Sequence, residues 1–256
     1  MSQKRTTSSP NGPLIEVCLD SADSAVAAQE GGAQRVELCD NLIEGGTTPS
    51  AGMIAATCAA VEIPVMVMIR PRGGDFCFSA HEQAAMFHDI EVAKSLGAHG
   101  VVIGVLNIHG DVNVDLTARL IGAARPMTVT FHRAFDMTRN PLVALDRLIQ
   151  LGVDRLLTSG QEATVADGVD LVAELVQRAE DRLVVMPGCG ITPRNVERIV
   201  AGTGAREIHI VGNTTAESPM SYRNPRCFMG GELRTPEYHR TVTGAGQVRA
   251  FSAPFR

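Results

Sequence analysis

The chain has 256 residues, of which 45% are hydrophobic and 20% charged, and its formal net charge is −5 at pH 7. This size matches a single (β/α)-barrel domain and is enough to bury a substantial core. The acidic balance, the absence of Trp and the presence of only two Tyr argue against nucleic acid as a partner, because they leave neither a cationic footprint nor stacking platforms.

The chain begins with a segment rich in Ser, Thr, Pro and basic residues. We therefore predict that residues 1–13 form a flexible tail and that residues 14–256 form a single barrel domain. That segment lacks the apolar stretch of a signal peptide, and no later run approaches the roughly 18 apolar residues needed to span a bilayer. We expect a cytoplasmic protein with no membrane partner, whose six cysteines are reduced.

Eight short apolar runs predict eight strands that alternate with helical segments. A glycine stands ahead of every second run, where it can take the left-handed conformation that ends a helix. This repeated βαβα unit predicts an α/β fold, a parallel (β/α)8 barrel of the TIM type. An open doubly wound sheet ranks second, because no Gly-rich dinucleotide fingerprint follows the first run. The predicted strands are Leu14–Leu19, Arg35–Cys39, Val65–Arg70, Val101–Leu106, Met127–His132, Arg155–Thr158, Leu183–Met186 and Glu207–Val211, and the glycines are Gly32, Gly97, Gly152 and Gly204.

The chain departs from this repeat after the eighth strand. Residues 212–234 show little periodicity and predict a long irregular connection, which in a compact domain is usually a lid or binding loop. Thr235-Pro236-Glu237 then supplies an N-cap and a proline at the first helical position, so we expect a C-terminal helix to begin there.

The barrel interior is predicted to be unusually polar. Glu16 and Cys18 share one face of the first strand, and Glu37 and Cys39 repeat that pattern 21 positions later. The opposite face of each strand is almost wholly apolar, as expected for a surface packed under helices. Because buried charges must be paired, we expect the interior carboxylates to meet basic side chains, either in a structural ion network or in a functional site. The same parity places inside Met66, Met68, Arg70, Thr128, Thr130, His132, Glu207 and His209, of which Arg70, His132 and His209 are the expected partners.

The two interior thiols are candidate metal ligands. Adjacent strands lie about 4.8 Å apart, so Cys18 and Cys39 could share one ion or form a disulfide. With Met68 or His132 as a further donor, the set is soft and suits copper(I) better than magnesium or calcium. The alternative is that the cysteines only pack in the core, since no close Cys or His spacing supports a metal site.

Two loops suggest a site for a small-molecule anion. Arg70 and Arg72 flank a proline after the third strand, and guanidinium groups grip carboxylates or phosphates. Gly188 and Gly190 follow the seventh strand ahead of a helical segment, where barrels commonly bind phosphate. The alternative is that these glycines only turn the chain.

Four residues are candidates for acid–base chemistry. Glu16 and Glu37 lie on the interior face, and His132 ends the fifth strand shortly before Asp136. An imidazole with an acidic partner at a barrel mouth suits proton transfer. A hydrogen-bonded structural histidine explains the same pattern.

A set of ordered motifs resembles the CutC copper-homeostasis family over roughly residues 14 to 251. The resemblance implies a (β/α) barrel, a cytoplasmic protein that forms homo-oligomers and handles copper, and copper(I) ligation by the cysteines at positions 18 and 39. Two positions depart from the family pattern: Cys189 replaces a third consecutive glycine, and Phe78 replaces a usual tyrosine. The motifs are EVC, RVELC, EGGTTPS, PVMVMIRPRGGDF, TFHRAFD, LTSG and VVMPGCGIT.

Two main hypotheses for function follow. The first is a cytoplasmic copper homeostasis protein that binds copper(I) through Cys18 and Cys39. The second is a TIM-barrel enzyme that acts on a phosphorylated or carboxylated small molecule, with the arginine and glycine loops holding the anion and Glu or His transferring protons. A scaffold role is a weaker third, because no exposed apolar stripe supports it.

Overall fold

The computed structural model describes residues 12–227, 229 and 237–255. Eight parallel strands form one sheet in the order β7-β6-β5-β4-β3-β2-β1-β8. β7 and β8 also lie in contact, so the sheet curls into a nearly closed barrel. The strands are β1 Leu14–Leu19, β2 Arg35–Leu38, β3 Val65–Met68, β4 Gly100–Ile103, β5 Thr128–Phe131, β6 Arg155–Thr158, β7 Val184–Pro187 and β8 Glu207–Ile210. The predicted (β/α)8 barrel is confirmed, while residues 1–11 of the predicted tail lie outside the described residues.

Helices cover the outer face of the barrel, and their ends follow local sequence signals. Ser79 and Glu82 form a capping box at the start of α3, and Asn140 caps α5 ahead of Pro141 at the first helical position. All four predicted glycine turns have positive φ, and Gly152 and Gly204 end α5 and α7 in the left-handed conformation. The helices are α1 Ala22–Glu30, α2 Ala51–Ala60, α3 Ala80–Ser95, α4 Val114–Ala124, α5 Pro141–Leu151, α6 Val169–Ala179, α7 Val196–Thr203 and α8 Ala245–Ser252.

The main apolar core lies between the strands and the helices. Val17, Val36, Val67, Val101 and Val129 are fully buried on the outward face of their strands, as the alternation predicts. A smaller apolar cluster lies within the barrel, where Cys39 packs with two methionines and a valine. The remaining interior positions therefore carry the polar residues that form the candidate site.

The segment after β8 is more regular than predicted. Asn213–Glu217 forms β9, which pairs antiparallel with β10, His239–Thr243. The C-terminal helix is confirmed, but α8 begins at Ala245 and not at residue 235. The alternating Thr and Val of β10 favour a strand, and this preference overrides the preceding cap signal; residues 235–236 themselves lie outside the described residues.

Helix length and composition also bear on membrane contact. In the part of the chain that the structure describes, every helix is too short or too polar to cross a bilayer.

Candidate functional site at the barrel mouth

A buried ion network fills the lower part of the barrel. The Arg35 guanidinium donates to the Glu16 carboxylate and, at 2.5 Å, to Glu207 Oε2. Arg155 Nε donates to the same Glu207 oxygen at 2.9 Å. Burial raises the pKa of Glu16, but the Arg35 charge and His209 outweigh it and lower this pKa to about 2. The Arg35 charge thus favours the ionised form of Glu16, and the arrangement fits the structural ion network that the sequence left open as one of two hypotheses.

His209 connects this network to the upper part of the barrel. Its Nδ1 lies 2.8 Å from Glu16 Oε1, and its Nε2 lies 3.7 Å from Glu37 Oε2. Burial alone would lower the pKa of His209, but the Glu37 charge and hydrogen bonds to Cys18 and Glu16 raise it well above its ordinary value. These neighbours favour the protonated imidazolium form of His209, in line with its predicted pairing with a carboxylate.

The predicted thiol pair is present above His209. Cys18 Sγ lies 3.9 Å from Cys39 Sγ, and Cys39 Sγ lies 3.5 Å from Glu37 Oε2. The hydrogen bond from Cys39 lowers the pKa of Cys18 to about 5, against the opposing effect of burial. The same hydrogen bond, together with burial, raises the pKa of Cys39 well above that of a free thiol. The pair thus holds one thiolate and one thiol at neutral pH.

Glu37 lies beside both thiols, and one of its two carboxylate oxygens has no partner among the described residues. Burial is the main reason that its pKa is raised well above the usual value for a carboxyl group, and the nearby Cys18 thiolate adds to it. Its Oε1 atom is buried and accepts no hydrogen bond from any residue that the structure describes. Such an atom is normally paired in a native protein, so Glu37 Oε1 is a free acceptor for a further partner.

The loop between β2 and α2 closes over the thiols. Gly46 has φ +91°, and a Cβ at this position would lie 3.0 Å from Cys39 Sγ and 3.6 Å from Met68 Cε. Arg70 fixes the loop by donating from Nη1 to the carbonyls of Glu44 at 2.8 Å and Gly46 at 2.9 Å. Glycine is needed here because the loop backbone approaches the sulfur closely in a left-handed conformation.

Among the predicted auxiliary ligands, only Met68 joins the thiols. Met68 packs in the same cluster as Cys39, with Cys18 against it. His132 instead accepts a hydrogen bond at Nδ1 from the Ala134 amide at 3.0 Å, and its ring lies 5.2 Å from that of Phe76. Burial, aided by the charge of Arg70, lowers the pKa of His132 to about 3, so its imidazole is neutral.

The four predicted anion-binding residues do not converge. Arg70 belongs to the mouth, but Arg72 Nε donates to Glu82 at 2.7 Å on the rim, with the Arg72 side chain 36% exposed. Gly188 packs against His209 and Gly190 against a threonine of the loop after β6. Since three strands separate β3 from β7 in either direction around the barrel, the arginine and glycine loops lie on opposite sides.

The Asp136 carboxylate is hydrogen-bonded mainly to the loop after β6. Its carboxylate accepts hydrogen bonds from the Thr158 hydroxyl at 2.5 Å, the Ser159 amide at 3.1 Å and Arg133 Nε at 2.8 Å. These bonds hold the Asp136 carboxylate against the loop after β6, and none of them is to the His132 ring. Of the four acid–base candidates, the structure brings together only Glu16 and Glu37, through His209.

Two neighbours in the candidate site, Arg35 and Arg155, were not predicted, and two expected pairings of interior carboxylates are wrong. Arg35 shares the parity of Glu37 and Cys39, so this alternation alone could have placed it inside the barrel. Arg155 is the first residue of β6 and precedes an apolar run, so the sequence pattern did not indicate that its side chain faces the barrel interior. The interior carboxylates pair with these two arginines and His209, and the expected pairing with Arg70 and His132 is wrong because both extend from strand ends toward the loops.

The donor set fits a soft metal ion. Cys18, Glu37 and Cys39 each offer an atom within 4.8 Å of the others, as do Glu16, Glu37 and His209. For a metal–sulfur distance of about 2.3 Å, the 3.9 Å between the sulfurs corresponds to an S–metal–S angle of about 116°. That angle suits trigonal or tetrahedral coordination, and paired thiols select soft or borderline cations over magnesium and calcium.

The fold and site define a (β/α)8-barrel protein with a close pair of thiols at its mouth, of which Cys39 is buried and Cys18 half-buried. The model of the CutC family matches residues 13–214. The chain therefore belongs to the CutC family.

Individual relatives agree with this assignment. The chain is 48% identical to the human copper homeostasis protein cutC homolog over 243 residues, which are 95% of this chain and 89% of that protein. It is also 48% identical to a family protein CutC of Parabacteroides distasonis over 239 residues, covering 93% of this chain and 98% of the relative. A crystal structure of a CutC protein from Streptococcus agalactiae superposes with a TM-score of 0.74 at 32% identity, covering 77% of this chain and 98% of that one.

Proposed function

We propose that this protein acts in copper homeostasis by binding one copper(I) ion between the Cys18 and Cys39 thiols. The single observation that carries the proposal is the 3.9 Å separation of the two sulfur atoms inside the barrel. The names of its relatives, which include the human copper homeostasis protein cutC homolog, point to the same metal. Copper is the cargo in this account.

The electrostatics of the site support binding of a monovalent cation. Cys18 is already a thiolate, since its pKa is lowered to about 5. Copper(I) then needs to displace only the Cys39 proton, and metal binding to a protonated thiol releases that proton. The resulting bis-thiolate complex carries one net negative charge, which the neighbouring His209 imidazolium offsets.

We propose Met68 as the auxiliary donor. Its side chain packs against Cys39 inside the barrel, and a thioether is a soft ligand that suits copper(I). His132 is a weaker candidate, because its Nδ1 is occupied by the Ala134 amide and its ring packs on Phe76.

The test measures copper(I) stoichiometry under reducing conditions, in competition with a chromogenic copper(I) chelator. We expect about one ion per chain for the unchanged protein and none for the double variant Cys18→Ser, Cys39→Ser. The double variant Cys77→Ser, Cys227→Ser is the matched control, since it removes two thiols that lie outside the barrel. Full stoichiometry in the first double variant would refute the proposal.

We also propose that the protein works in the cytoplasm, where thiols stay reduced. The six cysteines are all free, which fits a reducing compartment. Homo-oligomer formation stays a prediction from the family resemblance, and sedimentation velocity would check it.

An enzymatic role is a second candidate, favoured by the contact between Cys18 and His209. A thiolate beside an imidazolium resembles the activated nucleophile of cysteine-dependent enzymes. If Cys18 reacts in this way, iodoacetamide should alkylate it faster at pH 6 than it alkylates Cys77, and His209→Gln should remove that advantage. Equal rates at the two cysteines would contradict the enzymatic hypothesis and the thiolate form of Cys18, but not the sulfur separation on which the copper proposal rests.

A further inference from the structure

Two N–H donors at the barrel mouth have no acceptor. Arg70 Nε and His132 Nε2 are buried and form no hydrogen bond with any residue in the described ranges. Both residues are more than nine-tenths buried, with exposed fractions of 6% for Arg70 and 4% for His132. Buried donors in native proteins are nearly always paired, so these two indicate a ligand.

The protonation of both atoms is fixed by their surroundings. His132 Nδ1 accepts the Ala134 amide at 3.0 Å, so a neutral ring must carry its proton on Nε2. The Arg70 terminal nitrogens are used by the carbonyls of Glu44, Gly46 and Gly74. These three bonds leave the Nε–H and one Nη2 hydrogen of this arginine available, and an arginine nitrogen cannot accept a hydrogen bond.

Both donor residues pack against Phe76. Arg70 Cζ lies 5.1 Å from the centroid of the Phe76 ring, and the His132 ring centroid lies 5.2 Å from the same point. Arg70 forms no salt bridge with a carboxylate in the part of the chain that is described, and its guanidinium places a positive charge beside Phe76, although this charge also interacts with the Glu44 carboxylate. The surface thus combines two hydrogen-bond donors, a positive potential and an aromatic face.

We propose that the barrel mouth binds a small monocarboxylate, whose two oxygens accept from Arg70 Nε–H and His132 Nε2–H while its carbon chain packs on Phe76. A carboxylate matches the count of donors and the sign of the charge, and hydrogen bonds to an ionised acceptor are the stronger ones. A phosphate fits less well, because three of the five guanidinium N–H groups that could hold it already donate to backbone carbonyls. The site does not include the thiols, so it is distinct from the copper site, although Arg70 also fixes the loop that closes over the thiols.

The experiment follows the two side-chain N–H groups by ¹⁵N NMR in reduced protein without copper. Sodium propionate is titrated against sodium chloride at constant ionic strength, and sodium phosphate serves as the second anion. We expect the Arg70 Nε and His132 Nε2 signals to shift in a saturable manner with propionate and to shift less with phosphate.

Matched variants separate this site from a general anion effect. Arg70→Lys keeps the charge but loses Nε–H, and His132→Phe keeps a ring while losing both nitrogens; each should weaken propionate binding about tenfold or more. Arg139→Lys, at an exposed residue paired with Asp111, should leave binding unchanged. The double variant Cys18→Ser, Cys39→Ser should also bind propionate normally, which separates this proposal from the copper proposal.

Three results would overturn the inference. The first is the absence of a saturable propionate shift at the two signals in the unchanged protein, a result that needs no variant to fold. The second is equal propionate affinity in folded Arg70→Lys, His132→Phe and unchanged protein, with folding verified by circular dichroism. The third is tighter binding of phosphate than of propionate.

Discussion

Replacement of Gly46 by alanine tests whether the loop over the thiols shapes the metal site. The new methyl group would lie 3.0 Å from Cys39 Sγ, a tighter contact than nearly all real Cβ neighbours have, in a backbone with φ +91°. The left-handed conformation costs a non-glycine residue about 1–2 kcal/mol, and the lower entropy of the unfolded alanine chain returns about 0.4–1 kcal/mol. The contact with sulfur adds to this loss and must move either the loop or the Cys39 thiol.

Gly32→Ala is the matched control for this change. Gly32 has φ +92° but no atom within 4 Å of an added Cβ, so it shares the backbone strain and lacks the contact. We expect both variants to lose roughly 0.5–1.5 kcal/mol of unfolding free energy from the backbone, measured by urea denaturation. Only Gly46→Ala should also lose copper(I) affinity, measured by chelator competition.

The comparison of the two alanine variants can refute the reasoning in two ways. Unchanged copper(I) affinity in Gly46→Ala would mean that the loop does not position Cys39. An equal loss of affinity in both variants would mean that the effect arises from general destabilisation and not from the site.

The remaining predictions concern protons and the ion network. Copper(I) affinity should rise about tenfold per pH unit between pH 6 and 8, because binding displaces the proton of Cys39, whose pKa is raised well above the ordinary value; a flat profile would contradict the assigned protonation. Arg35→Met should cost about 3–5 kcal/mol of unfolding free energy, because it removes the cation that the buried Glu16 and Glu207 share and leaves them only His209 and Arg155. The control Arg240→Met, at an exposed residue, should change it by less than about 0.5 kcal/mol. The pKa of Glu16 is about 2 in the folded protein, against 4.5 for an unperturbed Glu. Its contribution to stability is therefore full above about pH 5 and is lost as the pH falls toward 2. Urea midpoints that fall equally steeply with pH in Glu16→Gln and in the unchanged protein would argue against this assignment.

The barrel and the thiol pair were predictable because they depend on local periodicity. Side chains of a strand alternate regardless of what surrounds them, so the spacing of Glu16, Cys18, Glu37 and Cys39 already placed all four inside. The glycine turns were equally local, because a left-handed helix end needs a residue without a side chain. These features needed no knowledge of how the chain closes.

Side chains beyond the strand ends were harder to predict. Arg70 was expected to face a carboxylate, yet it donates to carbonyls of a loop that is distant in sequence. His132 was expected to face Asp136, yet its Nδ1 is held by the amide two residues further along. Their partners are set by the paths of the β2–α2 and β5–α5 connections, which alternation within a strand does not encode.

The end of the chain shows a competition between two local signals. The Thr-Pro-Glu sequence at 235–237 is a good helix start, but the next residues alternate Thr and Val, and β9 offers them a partner strand. Pairing with a strand that lies more than twenty residues earlier is a tertiary effect, so inspection of one segment at a time missed it.

X-ray absorption spectroscopy of the reduced protein loaded with one equivalent of copper(I) tests the central claim most directly. The account predicts a first shell of two thiolate sulfurs, with a third sulfur from Met68, and loss of that spectrum in the Cys18→Ser, Cys39→Ser variant. A first shell of nitrogen and oxygen atoms, or a spectrum that survives in the double variant, would contradict it.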